Sequence, residues 1–122
     1  MELALTIVIG LVAFLHLYIM WFEMFKWTTR GPKVFRNFPK DLFEPTKELA
    51  ANQGLYNGFL SAGLIWTFFI SDAVWSYNVS IFFLSCVAVA GIYGAYSADK
   101  KILLVQTIPA VVGLILIWLL LN

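Results

Sequence analysis

Charged residues and cysteines are scarce in this sequence, and each scarcity excludes a class of protein. Of the 122 residues, 12% are charged and 61% are hydrophobic, whereas soluble domains carry about 25% charged residues. A soluble fold of this length could not bury so much apolar surface, so lipid is the expected solvent. The single cysteine, Cys86, lies inside an apolar run, which excludes an intramolecular disulfide and a thiolate metal cluster.

Basic residues are absent from most of the chain. All eight Lys and Arg residues lie between Lys26 and Lys47 or at Lys100 and Lys101. Because no basic patch exists outside these two stretches, nucleic-acid binding is not expected. Basic loops are retained in the cytoplasm, so both stretches are expected on the cytoplasmic side of the membrane.

Long apolar segments surround the basic stretches, and each is long enough to cross a bilayer as a helix. We predict an all-α, multi-pass integral membrane four-helix bundle with antiparallel spans, forming one domain over residues 1–122. The N-terminal segment lacks the positive start of a signal peptide, so it is expected to remain as the first span. An even number of spans then places both termini outside the cytoplasm. The spans cover residues 3–25, 49–70, 74–96 and 102–121, to within several residues, with a cytoplasmic loop over residues 26–48.

The loop over residues 26–48 has two interpretations that the sequence leaves open. It interleaves Phe35, Phe38 and Phe43 with basic residues, a pattern that can rest on a membrane with its rings in the interface. Pro39 and Pro45 exclude one long amphipathic helix. The alternative is a solvated basic linker that only sets the topology.

Small residues recur in the second and third spans, where they let membrane helices approach closely. Gly54 and Gly58 form a small-xxx-small pair, and a second stripe contains Ala88, Gly91, Ala95 and Ala98. These faces join helices within one chain or form a homodimer, and membrane lipids are the other expected partners. Pro109 is expected to kink the fourth span or to open a local gap in its hydrogen bonds.

Polar residues inside the spans or at their mouths are the main functional signal, because in hydrocarbon they need a partner or a water-filled cavity. The candidates for ligand binding are His16, Glu23, Asn52, Gln53, Tyr56, Asn57, Tyr93, Lys101 and Gln106. Several lie one turn inside the cytoplasmic ends of their spans, and His16 and Asn57 lie about 12–15 Å deep at ~1.5 Å rise per residue. We therefore predict one polar pocket open to the cytoplasm.

Each of these residues also has a purely structural interpretation. Glu23 could snorkel to the headgroups or pair with Lys101 or Lys26, and a neutral His16 could bond to Asn57. The Asn and Gln side chains could be hydrogen-bonding glue between helices. His16 and Glu23 are the only good nitrogen or oxygen ligands for a metal inside the predicted spans, whereas zinc or iron needs three or four protein ligands. No metal and no cofactor is therefore expected.

Three groups of motifs resemble one known family over essentially the whole chain. They are Asn52-Gln53-Gly54-Leu55-Tyr56-Asn57-Gly58, His16-Leu17-Tyr18 with Glu23-Met24-Phe25, and Ala90-Gly91-Ile92-Tyr93-Gly94 with Lys101-Ile102-Leu103-Leu104-Val105-Gln106. Together they resemble a bacterial family of small four-span membrane proteins, the domain-of-unknown-function family 1304. The resemblance implies four membrane helices and implies no reaction.

The sequence is compatible with three functions. The favoured one is binding or transport of a small amphiphilic or lipid-like ligand, with Gln53, Asn57 and Gln106 as hydrogen-bonding residues; transport would need a dimer to build a full pathway. The second is a membrane enzyme that acts on a lipid-like substrate, with Glu23 or His16 as general acid or base. The third is a structural or accessory membrane subunit in which the polar residues only specify helix packing.

Overall fold

The computed structural model describes residues 1–97 and 99–122, and these residues form helices joined by short connections. Ala98 of the predicted small-residue stripe lies outside the described residues. The α-helices are α1 (Glu2–Phe25), α2 (Gly31–Val34), α3 (Lys47–Trp66), α4 (Ala73–Ser97) and α5 (Ile108–Leu121). Short 3₁₀ turns cover Lys40–Leu42 and Thr67–Phe69, and a π-helical segment covers Leu103–Thr107. The prediction of an all-α chain is confirmed for the described residues.

Three helical stretches are long and apolar enough to cross a membrane. Among the described residues these are Glu2–Phe25, Ala73–Ser97 and Leu103–Leu121. Helix α3, which contains most of the second predicted span, is not one of them. Its 20 residues include Lys47, Glu48 and several amides, which lower its mean hydropathy. The four-span bundle and the placement of both termini therefore stay predictions.

The chain divides into two compact units, which are described separately. The first unit comprises Met1–Ala13 and Leu60–Asn122, and the second comprises Phe14–Phe59. The unit boundaries fall inside α1 and inside α3.

The first unit has an apolar core with a few hydrogen bonds inside it. The Ser61 hydroxyl donates to the carbonyl of Ala13 at 2.7 Å. Glycines allow close packing here, since a Cβ at Gly63 would lie 2.2 Å from the ring of Phe83. The buried core residues are Leu5, Ile9, Val12, Ala13, Leu64, Leu84, Val87, Ala88, Ala110 and Ile117.

The second unit is held together by aromatic rings around Trp27. Its indole ring lies 5.0 Å from the ring of Phe43 and 5.9 Å from that of Phe38, measured between centroids. The Trp27 Nε1–H donates to the Thr46 hydroxyl at 3.0 Å. Phe43 is buried, and Gly31 lies so close to its ring that a Cβ there would be 2.6 Å away. The segment between α1 and α3 therefore has a small core of its own, while its basic side chains are exposed.

Candidate functional site

A hydrogen bond between α1 and α3 lies at the centre of the candidate site. The Asn57 side-chain amide donates to Oε1 of Glu23 at 2.7 Å and to the carbonyl oxygen of Gln53 at 3.2 Å. Glu23 lies in the last turn of α1 and is half-buried, and Asn57 is buried. A carboxylate that accepts a short bond from an amide is held in one orientation, so this pair fixes where the Glu23 oxygens lie.

Two glycines of α3 make this bond possible, because they let α3 approach α1 closely. A Cβ at Gly54 would lie 3.0 Å from the Met20 carbonyl oxygen and 3.0 Å from the Glu23 Cβ. A Cβ at Gly58 would lie 2.6 Å from the Met20 sulfur. The small-xxx-small pair is therefore used between helices of the same chain, at the distance from which the short Asn57 side chain reaches Glu23. A homodimer stays a prediction.

An open cleft of about 230 Å³ lies beside Glu23, where α1 ends and α3 begins. Its wall combines carboxylates with apolar and aromatic side chains. Lys47 also contributes, but its ammonium group is bonded to Glu44 at 2.6 Å. That hydrogen bond, with the charge of Glu44, raises the pKa of Lys47, so the Lys47 ammonium group stays charged and paired with Glu44. The lining residues are Glu23, Met24, Phe25, Trp27, Thr28, Lys47, Glu48 and Ala51.

The structure distributes the nine predicted site residues over both units. His16, Glu23, Asn52, Gln53, Tyr56 and Asn57 belong to the second unit, and Tyr93, Lys101 and Gln106 belong to the first.

In the second unit, the structure joins Asn57 to the Glu23 side chain and to the Gln53 backbone. His16 is completely buried, whereas the Asn52, Gln53 and Tyr56 side chains are exposed.

In the first unit, Tyr93 and Lys101 are exposed, and Gln106 is half-buried in the π-helical segment. The neighbouring Thr107 hydroxyl donates to the Ala88 carbonyl at 3.2 Å. A single pocket that unites all nine residues stays a prediction.

Several cleft residues were missed from the sequence, Trp27 and Glu48 among them. Trp27 follows Glu23 by four residues, the spacing at which side chains share a helix face. That spacing is a usable signal for the place of Trp27 beside Glu23. Glu48 falls at the end of the loop predicted over residues 26–48, outside the predicted spans. Its place in the cleft depends on where α3 begins, at Lys47.

The potential metal ligands of the described residues are their His, Cys, Asp and Glu side chains. Among residues 1–97 and 99–122, no three His, Cys, Asp or Glu side chains are grouped so that they could hold an ion. The candidate site therefore consists of one oriented carboxylate, one amide and the partly aromatic cleft beside them.

Comparisons with known proteins identify the family of this chain and a relative. A sequence model of the family described as "Protein of unknown function (DUF1304)" matches residues 10–118. A protein of Lactococcus lactis subsp. lactis (strain IL1403), named "Uncharacterized protein YpaA", is 33% identical over an alignment of 114 residues. The alignment covers 91% of this chain and 94% of the relative. No solved structure matches the chain significantly.

Proposed function

We propose that this chain, which belongs to the DUF1304 family of proteins of unknown function, is an integral membrane protein that binds a small amphiphilic ligand in the cleft beside Glu23. The proposal includes four spans in a bacterial cytoplasmic membrane, with both termini outside. The cleft then opens to the cytoplasm.

The observation that carries the proposal is the position of the Glu23 carboxyl. Glu23 lies in a helix that is apolar enough to span a membrane, where ionisable groups are costly and usually functional. Its oxygen is oriented by Asn57, and its side chain forms part of the cleft wall. A carboxyl group that served only helix packing would not need to line an open cleft.

The lining of the cleft indicates the chemistry of the ligand. Met24, Phe25 and Trp27 offer apolar contact, while Glu23 and Thr28 offer hydrogen-bonding oxygens. Ligand sites of this kind combine an apolar wall with a few placed polar groups. The volume of about 230 Å³ is below the ~300–1,000 Å³ of closed sites for drug-sized molecules. We therefore infer that the cleft takes the polar end of an amphiphile, whose chain stays in the lipid.

The test is a thermal-shift titration of the full-length protein in mild detergent. The probes are a medium-chain alkyl amine, a fatty acid, an alkyl quinone and a lysophospholipid. Because a ligand at 100 times its Kd stabilises the folded state by about 2.7 kcal/mol, at least one probe should raise the Tm by several degrees.

The matched variants are Glu23→Gln, which keeps the size of the side chain, and Asp41→Asn, an exposed acid of the same unit that does not line the cleft. The shift should be lost in Glu23→Gln and retained in Asp41→Asn. The proposal is wrong if no probe shifts the Tm, or if Glu23→Gln responds like the unaltered protein.

A second candidate is a structural or accessory subunit, and one observation favours it. The Gly54 and Gly58 approach and the Asn57 bond would serve helix packing equally well, while the exposed Gln53 amide is available to a partner. In that case Gln53→Leu would abolish a stable complex in pull-downs and leave every thermal shift unchanged.

A further inference from the structure

A second groove, separate from the Glu23 cleft, lies where α1 passes into α2. It has a volume of about 630 Å³ and is open. Backbone hydrogen bonds continue the helical winding past α1, since the Arg30 N–H donates to the Lys26 carbonyl at 2.8 Å. This winding brings three cations to one groove. The lining residues are Trp21, Lys26, Thr29, Arg30, Lys33 and Val34.

Two of the cations fold back onto rings of α1. The Lys26 ammonium lies 5.8 Å from the centroid of the Trp21 ring, and the Arg30 guanidinium carbon lies 5.9 Å from that of the Tyr18 ring. Both rings belong to a helix that is apolar enough to span a membrane. In the membrane placement proposed above, on which this step rests, the two charges lie at the level of the lipid headgroups, where aromatic rings and snorkelling cations are found.

The charge of the groove is not neutralised within the described part of the chain. Lys26, Arg30 and Lys33 form no salt bridge with any described residue, and no carboxylate is among the residues that line the groove. Three uncompensated cations around one open space attract an anion. Arg30 in addition offers the planar fork of donors that suits phosphate oxygens.

An apolar stripe on α1 leads directly to these cations. Phe14, Tyr18, Trp21 and Phe25 are all exposed and recur at the spacing of one helix face. Tyr18 and Trp21 are also the rings that the cations cover. A molecule that occupies the groove thus meets an apolar helix face on one side and positive charge on the other.

We propose that this groove binds the phosphate of an anionic phospholipid, with the acyl chains lying along the exposed face of α1. The apolar stripe beside the cations favours a lipid over a soluble phosphate, because only a lipid can place its phosphate in the groove and its chains along the stripe at the same time. The site is independent of the Glu23 cleft, and its occupancy does not require the ligand proposed there.

The experiment is native mass spectrometry of the delipidated full-length protein, mixed with equal amounts of dioleoyl phosphatidylglycerol and dioleoyl phosphatidylcholine. The groove variant is Lys26→Gln/Arg30→Gln/Lys33→Gln. The matched control is Arg36→Gln/Lys40→Gln/Lys100→Gln, which removes the same charge from exposed positions that do not line the groove.

Phosphatidylglycerol should be preferred by the unaltered protein and by the control. Each groove cation contributes roughly a fivefold preference, so the groove variant should lose on the order of a hundredfold. Lys33→Gln alone should reduce the preference for phosphatidylglycerol about fivefold. Because Lys33 is exposed and makes no ring contact among the residues that the structure describes, this variant keeps the test valid if the triple variant misfolds.

Two outcomes overturn the proposal. One is an equal loss of preference in the groove variant and the matched control, which would mean general charge attraction. The other is displacement of phosphatidylglycerol by inorganic phosphate at equal concentration, which would make the groove a site for free phosphate.

Discussion

The bond between Asn57 and Glu23 can be tested by a double-mutant cycle. Asn57→Ala removes the amide that lies 2.7 Å from Oε1 of Glu23. Glu23→Ala removes the carboxyl and keeps the Glu23 Cβ, which lies close to Gly54: a Cβ added at Gly54 would be 3.0 Å from it. Packing at Gly54 is thus preserved, and the cycle isolates the polar contact.

The expected coupling free energy follows from two ranges. Hydrogen bonds to charged groups contribute about 1.5–3 kcal/mol in soluble proteins, but interhelical bonds in membrane proteins average about 0.6 kcal/mol and reach about 1.7 kcal/mol. Because Asn57 is buried and Glu23 is half-buried, we expect about 1 kcal/mol, above the membrane average. Each single substitution should lower the free energy of unfolding by more than this coupling, since it also removes the packing contacts of the deleted side-chain atoms.

The assay is reversible unfolding in mixed micelles, in which SDS is titrated against a mild detergent and helix content is followed by circular dichroism. The control cycle pairs Glu23→Ala with Asn52→Ala, since the exposed Asn52 side chain makes no hydrogen bond to a described residue. Its coupling should stay within the ~0.3 kcal/mol of independent sites. A Glu23–Asn57 coupling of that same small size would refute the structural basis of the site.

Three further predictions concern packing and topology. Gly91→Ala should destabilise the protein by about 2 kcal/mol, because its Cβ would lie 2.1 Å from the Thr107 hydroxyl, whereas Gly10→Ala, with no atom within 4 Å, should be neutral or slightly stabilising in the same unfolding assay. Trp27→Phe keeps a ring and loses the bond to Thr46, so it should cost about 1 kcal/mol and speed proteolysis of the α1–α3 connection; an unchanged cleavage rate would contradict the proposed loop core. A reporter enzyme that works only outside the cytoplasm should be active when fused to either terminus. A terminus at which such a reporter is inactive, and a cytoplasmic reporter is active, would contradict the four-span topology.

The helical class of the fold was predictable from composition and from the apolar runs. Proline removes a backbone donor wherever it occurs in a helix, so a gap in the hydrogen bonds at Pro109 can be predicted locally. The π-helical form of the segment Leu103–Thr107, directly before α5, was not predicted. The second predicted span, residues 49–70, agrees to within several residues with α3, Lys47–Trp66. The sequence shows the amides of α3 but not the tertiary contacts through which a helix in lipid tolerates them.

The candidate site was predictable in its residue types and not in its contacts. Glu23 and Asn57 stood out because polar groups in apolar helices need partners. Their pairing depends on the close approach at Gly54 and Gly58, and the sequence left open whether that face served one chain or two. The exposure of Asn52 and Tyr56 depends on the rotation of α3 about its axis. The sequence does not reveal this rotation, because apolar residues occur on every face of the helix.

Photoaffinity labelling in native membranes tests the central claim, that an amphiphile occupies the cleft beside Glu23, most directly. A diazirine-bearing derivative of the amphiphile that stabilises the protein most would be cross-linked and the modified peptides mapped. We expect labels on residues that line the cleft, with loss of labelling in Glu23→Gln. These residues are Glu23, Met24, Phe25, Trp27, Thr28, Lys47, Glu48 and Ala51. Labels confined to the exposed faces of α4 and α5, and unchanged in that variant, would contradict it.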